Sequence, residues 1–266
     1  MDGWQDMDPA ALGDAYANAP HIPLGDAYPR MWAEAAAAMR AARPPEVLRY
    51  GDHPRQTVDL FQPDGAARGL VAFVHGGYWL RFGPSDWSHL ALGALSHGWA
   101  VALPGYVLAP EARVAAITAM VARALDAAAE AVPGPLRLAG HSAGGHLVAR
   151  MIMADAAPAC ADRIEAVLPI SPVADLRPLV PQPPLADLRL DGREAAAESP
   201  ALGRPREGPR VSIHVGADER PSFLWQARAL AAAWDAPLTV VPDAHHFDVI
   251  DALADPDGAM VADLLA

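Results

Sequence analysis

The sequence predicts an α/β fold: a mostly parallel sheet covered by helices on both faces. Short apolar runs rich in β-branched residues alternate with longer stretches of helical spacing, and glycine and proline punctuate the boundaries between them. Size adds a third indication. At 266 residues and 27.9 kDa the chain can bury one large core, and a single domain over 1–266 is expected because α/β folds commonly run past about 200 residues as a unit.

The elements follow in order. Tyr28 to Ala42 reads as a helix closed by Pro44-Pro45, with no strand pattern before it. Gly69 to Val74 and Ala100 to Leu103 read as buried strands, with a helix between them at Ser85 to Leu95 and Ser85 as its cap. Val114 to Ala131 is alanine-rich and helical, stopped by Pro133-Gly134. Leu136 to Ala139 is a strand, Ala143 to Ala154 a helix, and Ala166 to Ile170, Val211 to Val215 and Leu238 to Val241 are further strands. Helices at Ser222 to Trp234 and Phe247 to Leu253 fill the remaining gaps. Residues 172–210 contain eight prolines, Pro172 and seven from Pro178 to Pro209, and break the rhythm. This insertion is expected to consist of short helices and turns, either capping the crevice at the strand ends or forming a rigid surface excursion.

Composition narrows the function. Twenty Lys and Arg against 32 Asp and Glu leave a net charge of −12, which favours solubility and argues against a nucleic-acid surface. No uninterrupted apolar stretch approaches about 18 residues, so no membrane span is expected. The start, Met1-Asp2-Gly3-Trp4, lacks a basic segment followed by an apolar one, and the protein is expected to be cytoplasmic without a signal peptide. Cys160 is the sole cysteine, so no internal disulfide can form. A homodimer is the prior for assembly, two-fold pairs being the commonest oligomer.

The chemistry centres on Gly140-His141-Ser142-Ala143-Gly144, a G-x-S-x-G directly after an apolar strand. That pattern places a serine on a tight strand-to-helix turn, with helix N-terminal amides facing an incoming oxyanion. Alone, Ser142 could be a helix cap. However, His75-Gly76-Gly77-Tyr78-Trp79 follows an earlier strand about 65 residues upstream, and glycine-turn amides there can meet the same oxygen. The expected donors are Gly77 and Ala143, with Gly76 close behind. Acyl transfer also needs a base and an orienting carboxylate. The strand at Val211 to Val215 ends in Gly216-Ala217-Asp218-Glu219, which offers two adjacent carboxylates and no direct way to choose between them. Near the chain end stands His245-His246-Phe247-Asp248. His246, followed by an apolar residue that can anchor the loop, is the expected base, and His245 a structural or substrate-facing neighbour.

These motifs together resemble the α/β-hydrolase superfamily, on its hormone-sensitive-lipase-like esterase side. The general pattern of that superfamily sets the acid three residues after the glycine, which selects Glu219. A narrower resemblance, to arylformamidases (kynurenine formamidases), rests on the same motifs with Ser85-Asp86-Trp87-Ser88-His89-Leu90, Leu103-Pro104-Gly105-Tyr106, Leu108-Ala109-Pro110-Glu111, Pro221-Ser222-Phe223 and Gln226. It implies cleavage of N-formyl-L-kynurenine to L-kynurenine and formate through a formyl-enzyme, with no metal and no cofactor. It also implies Ser142 as nucleophile, His246 as base, Glu219 as acid, and Gly76, Gly77 and Ala143 as oxyanion donors. Two positions depart from the pattern: Glu219 stands where the animal enzymes carry aspartate, and Val107 where the superfamily has arginine.

An aryl formamide or small ester is the expected substrate. Tyr78, Trp79, Trp87, Phe223 and Phe247 lie on or near the candidate loops and could line an aromatic pocket, although each alone could equally be packing. The principal rival is a carboxylesterase for short acyl esters. A zinc site from His75, His141 or His146 lacks ligand spacing, and no G-x-G-x-x-G supports dinucleotide binding.

Overall fold

A computed structural model describes residues 3–266; Met1 and Asp2, where the reading of the chain's start begins, lie outside them. In chain order the elements are α1 (Pro9–Tyr16), α2 (Tyr28–Ala42), β1 (Glu46–Arg49), β2 (Thr57–Phe61), β3 (Leu70–Val74), α3 (Leu92–Ser96), β4 (Ala100–Pro104), α4 (Val114–Ala131) and β5 (Leu136–His141). Then follow α5 (Ala143–Arg150), β6 (Ile164–Ile170), α6 (Gly192–Ala197), β7 (Arg210–Val211), β8 (Ile213–Gly216), α7 (Pro221–Trp234), β9 (Leu238–Val241) and α8 (Ala259–Leu265). The strands form one sheet in the order β1-β2-β4-β3-β5-β6-β8-β9, with β7 beside β6. From β4 onward every pairing is parallel, and only β1–β2 and β2–β4 are antiparallel. The expected α/β architecture is thus observed.

Both faces of the sheet are covered, which is why its central strands read as continuous apolar runs. All five residues of β3 are buried. Leu70, Ala72 and Val74 point into a core shared with α4, α5 and α7, while Val71 and Phe73 join the opposite core with Trp32, Trp87 and α8. Period-two alternation therefore feeds two cores at once.

Several boundaries differ from the sequence expectation. Two strands, β1 and β2, precede β3 where none was expected. The apolar run of β2 is broken by Asp59, which is 4% exposed and ion-paired to Arg40 of α2. The expected helix over Ser85 to Leu95 is instead two 3-10 turns, Pro84–Asp86 and Ser88–Ala91, followed by α3. Trp87 between those turns leaves helical geometry and packs at a tilt against Trp32, with ring centroids 4.7 Å apart. Asp86, not Ser85, supplies a capping contact by accepting from the Gly83 amide at 2.9 Å. The helix after Ser142 ends at Arg150, four residues early, where the guanidinium binds Asp155 and Glu198. Ser212 interrupts the strand expected over Val211 to Val215, and a 3-10 turn at Val249–Leu253 replaces the last expected helix. Residues 172–210 are short helices and turns, as expected. Among the described residues no helix is long and apolar enough to cross a membrane.

Candidate active site

At the carboxyl end of β5 the chain turns sharply into α5. Ser142 makes that turn with φ 57° and ψ −115°, a conformation that costs a non-glycine residue on the order of 1–3 kcal/mol. The surroundings enforce it: the Ser142 amide donates to Ile170 O at 2.9 Å, and its carbonyl accepts from His146 N at 3.0 Å and Val173 N at 3.3 Å. Gly144 allows α5 to start against β3, because a Cβ there would lie 1.9 Å from Val74 O. The Ser142 side chain makes no capping hydrogen bond, so it is not an ordinary helix cap. Instead Ser142 lines a cavity of about 340 Å³, together with His246 and Gly77.

Glu219 and His246 meet in the protein interior. His246 Nδ1 donates to Glu219 Oε2 at 2.6 Å, while Glu219 Oε1 accepts from the Gly216 amide at 2.9 Å and from the Ser171 hydroxyl. This leaves His246 Nε2 as the ring atom available on the cavity side. Of the two adjacent carboxylates, Asp218 is exposed and Glu219 is 6% exposed, so Glu219 is the one on the histidine. His245 points elsewhere, with its Nε2 3.1 Å from the Tyr28 hydroxyl. Ser142 and His246 share the cavity but are not hydrogen-bonded to each other among the described residues. Such contacts are often long before substrate binds.

The glycine turn abuts the elbow. A Cβ on Gly76 would sit 2.7 Å from His141 O and 3.0 Å from Ser142 Cβ, and Gly77 has φ +101°. Tyr78 and Trp79 follow with φ 52° and 57°, so three consecutive residues adopt left-handed backbone. Long-range bonds hold them: Tyr78 Oη donates to Tyr16 O at 2.7 Å, and Ala109 N donates to Trp79 O at 2.9 Å. The amides of Gly77 and Ala143 donate to no group of the described chain, which leaves them able to meet an oxyanion. His141 lies 4.6 Å from the His246 ring; burial, reinforced by His246, holds its imidazole well below the ordinary range. It is therefore neutral at pH 7.

Of the expected aromatic lining, Tyr78, Trp87 and Phe247 do border the cavity. Trp79 and Phe223 do not, because both are fully buried: Trp79 packs edge-on against His146, and Phe223 lies 4.1 Å from the His246 ring. The wall includes aromatics that sequence reasoning missed, namely Tyr16, Trp32 and Phe82. Residues 13–32 supply a large part of it, although their sequence carries little signature. They are pinned by the Tyr16 hydroxyl, which accepts from Gln226 Nε2 at 2.7 Å, and by an Arg220–Asp14 pair at 2.8 Å. Gln182, Pro184 and Leu185 bring the 172–210 insertion to the same cavity. Of the histidines considered for zinc, His146 Nε2 is 2.7 Å from Glu198 O and His75 Nδ1 2.8 Å from Gly76 O. Among the described residues no three potential metal-ligating side chains cluster.

The chain is similar to several known proteins. Two curated relatives are similar over most of the chain, both called kynurenine formamidase. That of Salmo salar is 25% identical and covers 78% of this chain and 76% of its own; that of Drosophila melanogaster is 29% identical and covers 79% and 77%. A crystal structure from Silicibacter sp. tm1040, provisionally named a thioesterase, is 47% identical, with a TM-score of 0.93 over 96% of this chain and 99% of that one. An esterase of Pyrobaculum calidifontis, 20% identical, shares the fold with a TM-score of 0.65 over 97% of this chain and 91% of that one. A family model described as the alpha/beta hydrolase fold matches residues 71–246, from the strand before the glycine turn to His246. The chain belongs to the alpha/beta hydrolase fold family.

Proposed function

We propose that this protein is a serine hydrolase that cleaves esters with a short acyl group. The observation that carries the reading is the His246–Glu219 contact at 2.6 Å behind a cavity that Ser142 and His246 share. Ser142 Oγ attacks the acyl carbon while His246 Nε2 takes its proton, and Glu219 stabilises the resulting imidazolium through Nδ1–H. The negative oxygen is met by the amides of Gly77 and Ala143, with Gly76 beside them. His246 then returns the proton to the leaving alcohol. Water, deprotonated by His246, hydrolyses the acyl-Ser142 ester, so the products are an acid and an alcohol and the enzyme is regenerated. The esterase fold and the thioesterase designation of the 47%-identical structure support an ester or thioester substrate.

A second reading is hydrolysis of an aryl formamide, N-formyl-L-kynurenine, to L-kynurenine and formate through a formyl-Ser142. It is favoured by the curated relatives, each covering more than three quarters of this chain, and by Trp32, Phe82, Trp87 and Phe247 along the cavity. Purified protein assayed in parallel on short p-nitrophenyl esters and on N-formyl-L-kynurenine discriminates the two through kcat/KM. No turnover of either, or equal turnover by Ser142→Ala, would refute both.

A further inference from the structure

His245, the histidine next to the base, takes no part in acyl transfer, yet both of its ring nitrogens are engaged. Nδ1 faces its own loop, 3.2 Å from Phe247 N, 3.3 Å from Asp248 N and 2.9 Å from Asp248 Oδ1. Nε2 lies 3.1 Å from the hydroxyl of Tyr28, the first residue of α2. The two amides can only donate, so in the neutral ring Nδ1 accepts and Nε2 carries the hydrogen; in the imidazolium Nδ1–H donates to Asp248 and Nε2 carries a hydrogen as well. In either state His245 donates to Tyr28 Oη. This is the one hydrogen bond between α2 and residues 243–248 among the described residues.

The tie joins two sides of the cavity. Pro29 and Trp32 of α2 line it, and so does Phe247, directly after the base. Around the tie the rings pack together: Tyr28 lies 5.6 Å from Trp32 and 5.5 Å from Phe247, and Trp32 lies 5.3 Å from Phe247, between centroids. A molecule that fills the cavity therefore bears on both ends of the tie. On the acid side the base loop is fastened by Asp218 N, which donates to Ala244 O at 2.9 Å, and His246 Nδ1 is held by Glu219. With Nδ1 fixed, the place of Nε2 depends on the backbone that carries the ring, and His245 is the residue before it. Apolar packing is non-directional, whereas a hydrogen bond fixes both a distance and a direction. We infer that His245 is a positioning residue: through Tyr28 it ties the α2 wall of the cavity to the base loop, so that a substrate seated against that wall sets His246 Nε2 toward Ser142. This inference rests on the serine-hydrolase reading of the same cavity.

The test compares kcat and KM on a short p-nitrophenyl ester, with kcat expressed per site titrated to completion by a fluorophosphonate, so that unfolded protein does not count. Tyr28→Phe keeps the ring and removes the hydroxyl, and His245→Asn keeps an acceptor at the Nδ1 position and removes the reach to Tyr28. Each should lower kcat about tenfold, less than the about 10²-fold of a 1 Å misplacement because Glu219 still holds the ring, with KM changed by less than about twofold. The double variant should fall no further than either single one, since both cut the same tie. His245→Gln, which returns an amide donor at the Nε2 position, should recover most of the loss. A tie that only supports the fold would lower the thermal midpoint or the number of titrated sites and leave kcat per site at the parent value, and that result would overturn the inference. So would a rise in KM with kcat unchanged, losses that multiply in the double variant, or a glutamine variant no better than the asparagine one. Turnover by the parent and by Ser142→Ala is scored alongside: an inactive parent sinks the functional reading, whereas an active parent with unaffected variants sinks this inference alone.

Discussion

His246 and Glu219 are joined by a 2.6 Å hydrogen bond with both side chains almost wholly removed from solvent. The second carboxylate oxygen is also engaged, by the Gly216 amide and the Ser171 hydroxyl. A carboxylate held at both oxygens cannot rotate away from the imidazole, so the ring is fixed in one orientation and one tautomer. Ser171 has φ 47° at the end of β6, and its strained backbone is part of what brings the hydroxyl to Glu219.

Glu219 should therefore be irreplaceable by its neighbour. Glu219→Gln preserves shape but not the acceptor pair, and kcat is expected to fall by about 10⁴-fold, the loss typical of a triad carboxylate turned to an amide. Glu219→Asp keeps the charge but withdraws it by one methylene; misplacement of about 1 Å costs about 10²-fold. Asp218→Asn should stay within about twofold, since that side chain is exposed. Steady-state kinetics on a short p-nitrophenyl ester measure all three. A larger loss in Asp218→Asn than in Glu219→Gln would reverse the assignment.

How far the sequence revealed this site depends on the kind of residue. Ser142 and the glycine turn were legible because backbone geometry there demands particular residues: Gly144 has no room for a Cβ, and Gly77 needs positive φ. His246 and Glu219 were legible through order along the chain, but choosing Glu219 over Asp218 needed either a family pattern or the burial contrast. Asn18, Asp26 and Trp32 were not legible. They reach the cavity only because the N-terminal segment folds back onto α7 through Tyr16 and Gln226, a contact between residues 210 positions apart. The break near Trp87 was hidden for a similar reason, since its tertiary packing on Trp32 overrides helical spacing.

Ser142→Ala should abolish turnover without unfolding the protein. In subtilisin-type enzymes loss of the nucleophile costs about 10⁶-fold in kcat, and a comparable fall is expected here. The Ser142 hydroxyl caps nothing and the strained backbone is unchanged by the substitution, so the thermal midpoint should stay nearly the same. A fluorophosphonate probe should label the parent and not the variant. Labelling of Ser142→Ala at the same rate would place the nucleophile elsewhere.

Gly76→Ala tests the glycine turn. Its added methyl group would meet His141 O at 2.7 Å and Ser142 Cβ at 3.0 Å, and the obstructing carbonyl is backbone that cannot swing aside. The turn must shift away from the elbow and carry the Gly77 amide with it. Loss of one oxyanion donor costs about 10²–10³-fold in kcat, and a fall of that size is expected with KM changed far less. The same variant with unaltered kcat would show that this turn does not serve the oxyanion.

Buried imidazoles predict how stability responds to acid. His75 is 1% exposed and stacked on the Tyr106 ring at 4.4 Å, and burial pushes its pKa down to about 4; His146, on the buried α5, is pushed down to about 3 by the same cause. The groups facing them do little to offset this: His75 meets Gly76 O, the Tyr106 hydroxyl and the cationic Arg55, while His146 meets Glu198 O, the Trp79 ring and the cationic Arg150. The unfolded chain, with histidine near 6.5, therefore binds more protons than the folded chain once pH falls below that value. Stability is fully present above about pH 6.5 and is lost progressively as pH drops through the folded values. At pH 5, His75 alone accounts for about 2 kcal/mol of the loss. Urea unfolding midpoints should decline between pH 7 and pH 5, and His146→Gln, which keeps an amide donor toward Glu198 O, should flatten the decline. Midpoints constant over that interval would contradict the neutral, buried state of both rings.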